Sequence, residues 1–478
     1  MIASSVIADP IVLGLLDLLA AGCFLAAIAW VAVERPALAL IAFFVLFSFV
    51  WRLVSVLYID LFGPLFSEQL ERNIGQGSAV VPLAVAQGLV IAALLFSFRP
   101  ERLQKFGIEM RSPPAVLTCG GRFSLADAAF LAVALFTAGL WIELFVRGPI
   151  PLFAAMERFD YSRLYGGALH QRLMEWGPML AFQIGVFFVT PTLHDRRPDR
   201  RFAALFAILL LYLFVVGHRF SSFCAYGSFF CIPIGAVMVG RKARGRSARS
   251  FLTRTAKRNL CIAGSVLVLL MVAALAYSFI VVRGFEGAQL ASKVSQRILV
   301  QQGEMWWMTY ERVFVQGNWN SELAAHKLFV DPFAPDRNST MQWLMELGLP
   351  LERAHFILQA GSAYAGGWPE VCFELGGPIG GFALVALSAL VFSEFMFFLM
   401  RSIVEERFAT SLFLTPILYA LLINVVSGMV NSFIQVTFAI KVAIALVMFV
   451  AEDRWRFSLI SDPATVSHDA LPVPQKEA

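Results

Sequence analysis

The sequence predicts an all-α, polytopic integral membrane protein with about eleven transmembrane helices and one large extracytoplasmic loop. Three observations carry that prediction. Apolar residues make up 59% of the 478-residue chain and charged residues 15%, far from the balance of a water-soluble domain. Windows of roughly 20 residues without a fixed charge, the length that spans hydrocarbon as a helix, recur along almost the whole chain. Period-2 alternation is absent, which argues against a membrane β-barrel.

The expected spans fall at 11–33, 37–59, 78–98, 123–146, 176–192, 202–217, 220–240, 259–282, 376–400, 409–428 and 432–451. The fifth and sixth are short enough to be tilted or imperfect. Residues 1–282 thus hold eight spans with a smaller outer loop at 147–175, and 283–375 form the large loop. Residues 376–451 hold the last three spans, and the polar, proline-containing tail 452–478 has the composition of a disordered segment. The first apolar run lacks a preceding basic region, so it reads as a retained span and not a cleaved signal.

Orientation follows from lysine and arginine. The segments RPERLQKFGIEMR, HDRRPDRR and RKARGRSARSFLTRTAKR all lie on one side of the eleven-span arrangement and mark it as cytoplasmic. The N-terminus and the large loop then lie outside and the C-terminus inside. The net charge of +5 is a matter of topology and anionic lipid, so it carries no implication of nucleic acid. Of the six cysteines, only Cys372 falls on the outer side, and neither a disulfide framework nor metal-ligand spacing is apparent; no cofactor is expected.

Three outer segments carry charge that the positive-inside tendency would not place there. The first follows the fourth span and holds Arg147, Glu157, Arg158, Asp160, Arg163, His170 and Arg172. The second is the tight connection Gly217, His218 and Arg219. The third is the large loop, with Arg283, Arg297, Glu304, Trp306 and Trp307, closing on GWPEVCFELGG with Glu370 and Glu374. Snorkelling to lipid phosphate or pairing with a nearby acid accounts for any single arginine. As a set, Arg147, Arg219 and Arg283 each stand at a span boundary, next to or one residue away from glycine, and guanidinium forks suit phosphate oxygens. They point to an anionic, lipid-linked ligand.

Five of the ten tryptophans, Trp306, Trp307, Trp319, Trp343 and Trp368, lie in the large loop. They fit either a glycan groove or an interfacial belt. MQWLMELGLP reads as a short amphipathic surface helix, which favours the belt for Trp343. Glu304, Glu370 and Glu374 are the candidate general bases, and the last two share a face if their stretch is helical. His170 and His218 are further candidates.

The chain resembles the Wzy-type polymerases of O-antigen and related oligosaccharide repeat units. The likeness covers the architecture and three local stretches: RGPIPLF after the fourth span, the turn GHRFSS, and GWPEVCFELGGPIGG at the close of the large loop. The family's arginine-x10-glycine pattern is matched by Arg337 with Gly348 and is missing from the first loop. The resemblance implies a glycosyltransferase of the bacterial inner membrane acting on undecaprenyl-pyrophosphate-linked oligosaccharide. On that reading Arg219 and Arg283 hold pyrophosphate, and Arg147 and Arg163, with Arg158 and Arg297 nearby, face the second lipid-linked glycan. Trp306 and Trp307 line the glycan groove; Glu370 is the base, with Glu304, Glu374 or His170 as substitutes. An O-antigen ligase shares the plan, and a lipid-linked oligosaccharide flippase is the non-enzyme alternative. A mannosyl-type transferase needs an acidic pair in the first outer loop, where Asp60 stands without a neighbouring carboxylate. Whether a chain-length regulator docks on the protein stays open.

Overall fold

Within hydrocarbon a backbone can satisfy its polar groups only inside one helix or a closed barrel, so the uncharged runs fold as helices. The computed structural model describes residues 10–109, 125–154, 156, 158–218, 220–244, 269, 276–282, 284–329, 339–359 and 366–460. Among them eight helices are long and apolar enough to cross a membrane. The protein is an all-α, multi-pass membrane protein with one short β-hairpin.

The elements run in order as α1 (Pro10–Glu34), α2 (Pro36–Ile41), α3 (Phe43–Phe62), strands β1 (Leu65–Ser67) and β2 (Arg72–Ile74), α4 (Val80–Ser97), α5 (Pro100–Glu109) and α6 (Leu125–Arg147). Then come α7 (Arg158–Leu164), α8 (Ala168–Val189), α9 (Arg200–Val215) and α10 (Phe220–Ala243). The segment expected as a loop is itself helical: α11 (Gly287–Ser295), α12 (Glu304–Tyr310), α13 (Ser321–Leu328), α14 (Ser339–Gly348) and α15 (Leu351–Gln359). Helices α16 (Glu370–Val404), α17 (Phe408–Ser427) and α18 (Val436–Ile460) follow. Within α16 the chain breaks at Gly377, whose φ of 69° precedes Pro378, so a short first segment carrying Glu370 and Glu374 meets the long membrane helix at an angle.

The expected spans and the observed helices differ in instructive places. The second span is cut at Ala42 into α2 and α3. Helix α9 has 16 residues, about 24 Å at 1.5 Å per residue, short of a hydrocarbon core of about 30 Å. Lys441, Glu452, Asp453 and Arg454 bracket α18 so closely that it is not among the eight. Most of the expected span at 259–282, and the tail beyond 460, lie outside the described residues.

Contacts divide the bundle into two ends. At one end lie the basic connections. Arg102 grips Glu394 with two bonds of 2.6 and 2.8 Å. Glu405 accepts from Arg401 and Arg407, both at 2.6 Å. Glu452 receives the N–H groups of Ala409 and Thr410 at the start of α17, at 2.9 and 3.0 Å, as a helix N-terminus favours.

At the other end α11 to α15 make a cap around the hairpin, in which Leu65 pairs with Ile74 and Ser67 with Arg72. Lys293 pairs with Glu68 at 2.6 Å, Arg72 with Glu311 at 2.7 Å, and Arg353 with Glu71. Two tryptophans stitch the cap to the membrane helices: Trp306 donates to the Ala79 carbonyl at 2.7 Å and Trp307 to Asp60 Oδ1 at 2.9 Å. Trp343, expected on a surface helix, is buried with Leu344 and Met345 in the cap's core. The apolar face of α14 therefore meets the interior of a packed subdomain and not a membrane belt. Asp60, expected to stand without a neighbouring carboxylate, has Asp17 of α1 close enough to interact through charge: Ser78 donates to Asp17 Oδ1 at 2.7 Å, and the N–H groups of Ala79 and Val80 that follow it donate to Asp60. Trp307 and the α4 N-terminus occupy both oxygens of Asp60, which makes that carboxylate a helix cap.

Candidate functional site

At the cap end a cavity of about 470 Å³ opens among α3, α7, α8, α10, α17 and the turn between α9 and α10. That volume lies in the ~300–1,000 Å³ range of small-molecule sites. Arg158, His170, His218, Ser221, Ser222 and Ser427 bring polar groups to it. Its composition changes along each helix. On α8, His170 stands near the helix start, and Met174 and Pro178 lie one and two turns further in. On α10, Ser221 and Ser222 give way to Ala225, Tyr226 and Phe229. On α17, Ser427 ends the helix, and Ile423, Leu422 and Tyr419 lie progressively deeper. The lining is therefore polar at the helix ends and apolar towards the bundle's interior.

Local chemistry places each polar group. Gly167 is the cap residue of α8, and a Cβ there would fall 1.4 Å from Glu143 Oε1 of α6. Only glycine lets that carboxylate reach the helix start, where Oε2 accepts the His170 N–H at 2.9 Å. The His170 ring is 1% exposed. Its Nδ1 lies 2.9 Å from the Tyr212 hydroxyl, and its Nε2 has no partner among the described residues. With Nδ1 donating to Tyr212, Nε2 is the accepting nitrogen. His218 is half-buried, open to the cavity, and its Nδ1 lies 3.2 Å from Ser222 Oγ. Burial first, then the positive charge of Arg158 and the neighbouring His170, push its pKa down to about 3, so the ring is neutral. Arg158 also stacks over the Phe159 ring at 4.4 Å.

The other expected site residues sit elsewhere. Arg147 is exposed and 3.7 Å from Glu143, and Arg163 is exposed and 3.3 Å from Asp160. Arg297 bonds Gln301 at 3.2 Å on the flank of the cap. Arg219 and Arg283 lie outside the described residues. Trp306 and Trp307 are buried in the cap with both indole N–H groups engaged, so they offer no groove.

The three candidate bases are fully buried and none lines the cavity. Glu374 pairs with Arg312 at 3.3 Å. Glu370 Oε2 lies 3.5 Å from Arg52, and its Oε1 has no hydrogen-bond partner among the described residues. Glu304 lies beside Ser67 of the hairpin, and neither of its oxygens has a hydrogen-bond partner among the described residues. Burial raises its pKa to about 7, Ser67 pulls against that rise, and the charge of Glu68 adds to it. Glu370 and Glu374 do share the first turns of α16, as their spacing predicts, facing protein and not water. Among the described residues no three His, Cys, Asp or Glu side chains group as a metal site.

Arg52 escaped the sequence reading because it sits inside an apolar run whose average hydropathy hides it. A charge within a span was the available signal. The convergence of His170 and His218 is tertiary and carries no local signature.

A family model described as "Family of unknown function (DUF6418)" matches residues 334–442. That stretch runs from the cap through α16 and α17 into α18, and it includes Glu370, Glu374 and one wall of the cavity. No curated protein and no solved structure matches the chain.

Proposed function

We propose that the protein is a polymerase of O-antigen or another surface polysaccharide in the bacterial inner membrane. On this reading it transfers an undecaprenyl-pyrophosphate-linked glycan to a second lipid-linked repeat unit on the periplasmic side. The eleven-span arrangement, with the N-terminus and cap periplasmic and the C-terminus cytoplasmic, belongs to the same proposal and rests on the basic connections.

The observation that supports it most is the polar-to-apolar gradient of the cavity. A prenyl diphosphate is an anionic head on an apolar chain, and it would set its phosphates against Arg158 and the first turns of α8 and α10. Its first isoprene units would then run past Tyr226, Phe229, Leu422 and Tyr419.

The chemistry follows from that placement. The acceptor sugar's hydroxyl oxygen attacks the anomeric carbon, the bond from that carbon to the diphosphate oxygen breaks through an oxocarbenium-like state, and the diphosphate leaves with the electron pair. Arg158 stabilises the charge that develops on the leaving group. The hydroxyl proton passes to an imidazole, and His218 is the more open of the two. A bound diphosphate offsets the Arg158 charge that depresses His218 and so raises its basicity when substrate is present. His170, held by Tyr212 and Glu143, supports the same wall.

Glycan profiling of a deletion strain tests this. The polymerase reading expects single-repeat glycans on lipid A core, restored to long chains by the intact gene. A ligase expects long polymer accumulating unattached on its prenyl carrier, and unchanged long-chain glycan would overturn both.

A further inference from the structure

Arg52 is a guanidinium 6% exposed, set in an otherwise apolar stretch of α3. A charge so placed is retained only with partners. It has two. Its Nη2 donates to the Val426 carbonyl at 3.1 Å, and its Nη1 lies 3.5 Å from Glu370 Oε2. Val426 belongs to the last turn of α17, where carbonyls lack intrahelical donors and the helix dipole favours a cation. Glu370 is the first residue of α16, where the dipole favours an anion. Arg52 therefore joins the C-terminal end of one helix to the N-terminal end of the next.

The same seam is tight. Gly428 caps α17 with φ 67°, and a Cβ there would fall on the Gly367 carbonyl. Because Val426 and Ser427 line the cavity, whatever fixes this turn fixes one of its walls.

We infer that Arg52 is a positioning residue for the cavity, bracing the last turn of α17 against the Glu370 end of α16 without touching the ligand. The role in transfer rests on the glycosyltransferase reading; the brace itself does not. Arg52→Gln alone strands the Glu370 carboxylate, so the informative variant is the doubly neutral Arg52→Gln/Glu370→Gln, which leaves no buried charge unpaired.

The reporter is Ser427→Cys in a background with the six native cysteines replaced, read by the rate of maleimide labelling in lipid nanodiscs. The doubly neutral variant is expected to label about tenfold faster than the reporter parent, because the turn opens locally. It is also expected to raise KM for the lipid-linked repeat unit by about tenfold, with a smaller change in kcat. Arg52→Lys, which keeps a cation beside the Val426 carbonyl, should recover most of both. Labelling and KM within about twofold of the parent would overturn the brace. Tenfold faster labelling in a protein whose parent makes no polymer would keep the brace and discard the glycan reading.

Discussion

The two ends of the bundle treat their carboxylates differently. At the basic end, Glu405 is clasped between two guanidiniums, Glu394 by a two-bond fork, and Glu452 by the start of α17. At the cap end, Glu304 has neither oxygen hydrogen-bonded, Glu370 has one oxygen without a hydrogen-bond partner, and His170 keeps a free ring nitrogen, all among the described residues. Charges with complete partner sets serve as scaffolding. Polar groups buried without partners are retained at a cost to stability, and such groups concentrate where a protein acts. The end that carries the cavity is also the end where buried carboxylate oxygens lack hydrogen-bond partners among the described residues.

Substitutions at the two ends should therefore differ in kind. The largest effect is expected at the cavity. His218→Ala should lower chain growth by about 10²- to 10⁴-fold if the imidazole takes the proton. A purified-protein assay with lipid-linked repeat units, alongside a size-exclusion profile that matches the parent, checks it. Arg158→Ala should weaken binding of undecaprenyl diphosphate by roughly 10- to 100-fold, the range of about 1.5–3 kcal/mol for a charged hydrogen bond. Equal affinity in the two proteins would move the diphosphate out of this cavity.

A smaller effect, on stability, is expected at Glu304. Its folded-state pKa of about 7 lies above the ordinary value of 4.5, so the folded protein holds this proton more tightly than the unfolded chain. The associated stability is complete below about pH 4.5 and is lost as pH rises through about 7, amounting to roughly 3 kcal/mol at about 1.4 kcal/mol per unit. Glu304→Gln should abolish that decline, so that the variant melts above the parent at pH 8 and near it at pH 5. Parallel melting curves for parent and variant across that range would remove Glu304 from the account. At the basic end, Glu452→Gln weakens the cap on α17 and should cost about 1 kcal/mol with chain growth unchanged. A loss of polymer there would blur the distinction between the ends.

The membrane helices were legible because hydrocarbon imposes one rule on every span, and the eight long apolar helices among the described residues obey it. The helices of 287–359 were harder to read, since short amphipathic segments that pack on one another look like surface helices, as with Trp343. Within the candidate site, His170, Arg158 and His218 stood out as polar residues of the outer segments between spans. Their meeting depends on how α7, α8 and α10 cross, which periodicity does not encode. Glu370 was legible as a carboxylate at a helix start, but its partner Arg52 lies 318 positions away and inside a span.

The most direct test of the central claim is incubation of the purified protein in nanodiscs with an undecaprenyl-pyrophosphate-linked repeat unit alone. A polymerase yields a ladder of longer lipid-linked glycans, with one undecaprenyl diphosphate released for each bond formed and both products lost in Arg158→Ala. Release that appears only when lipid A core is added, or a ladder untouched by that substitution, would contradict the claim.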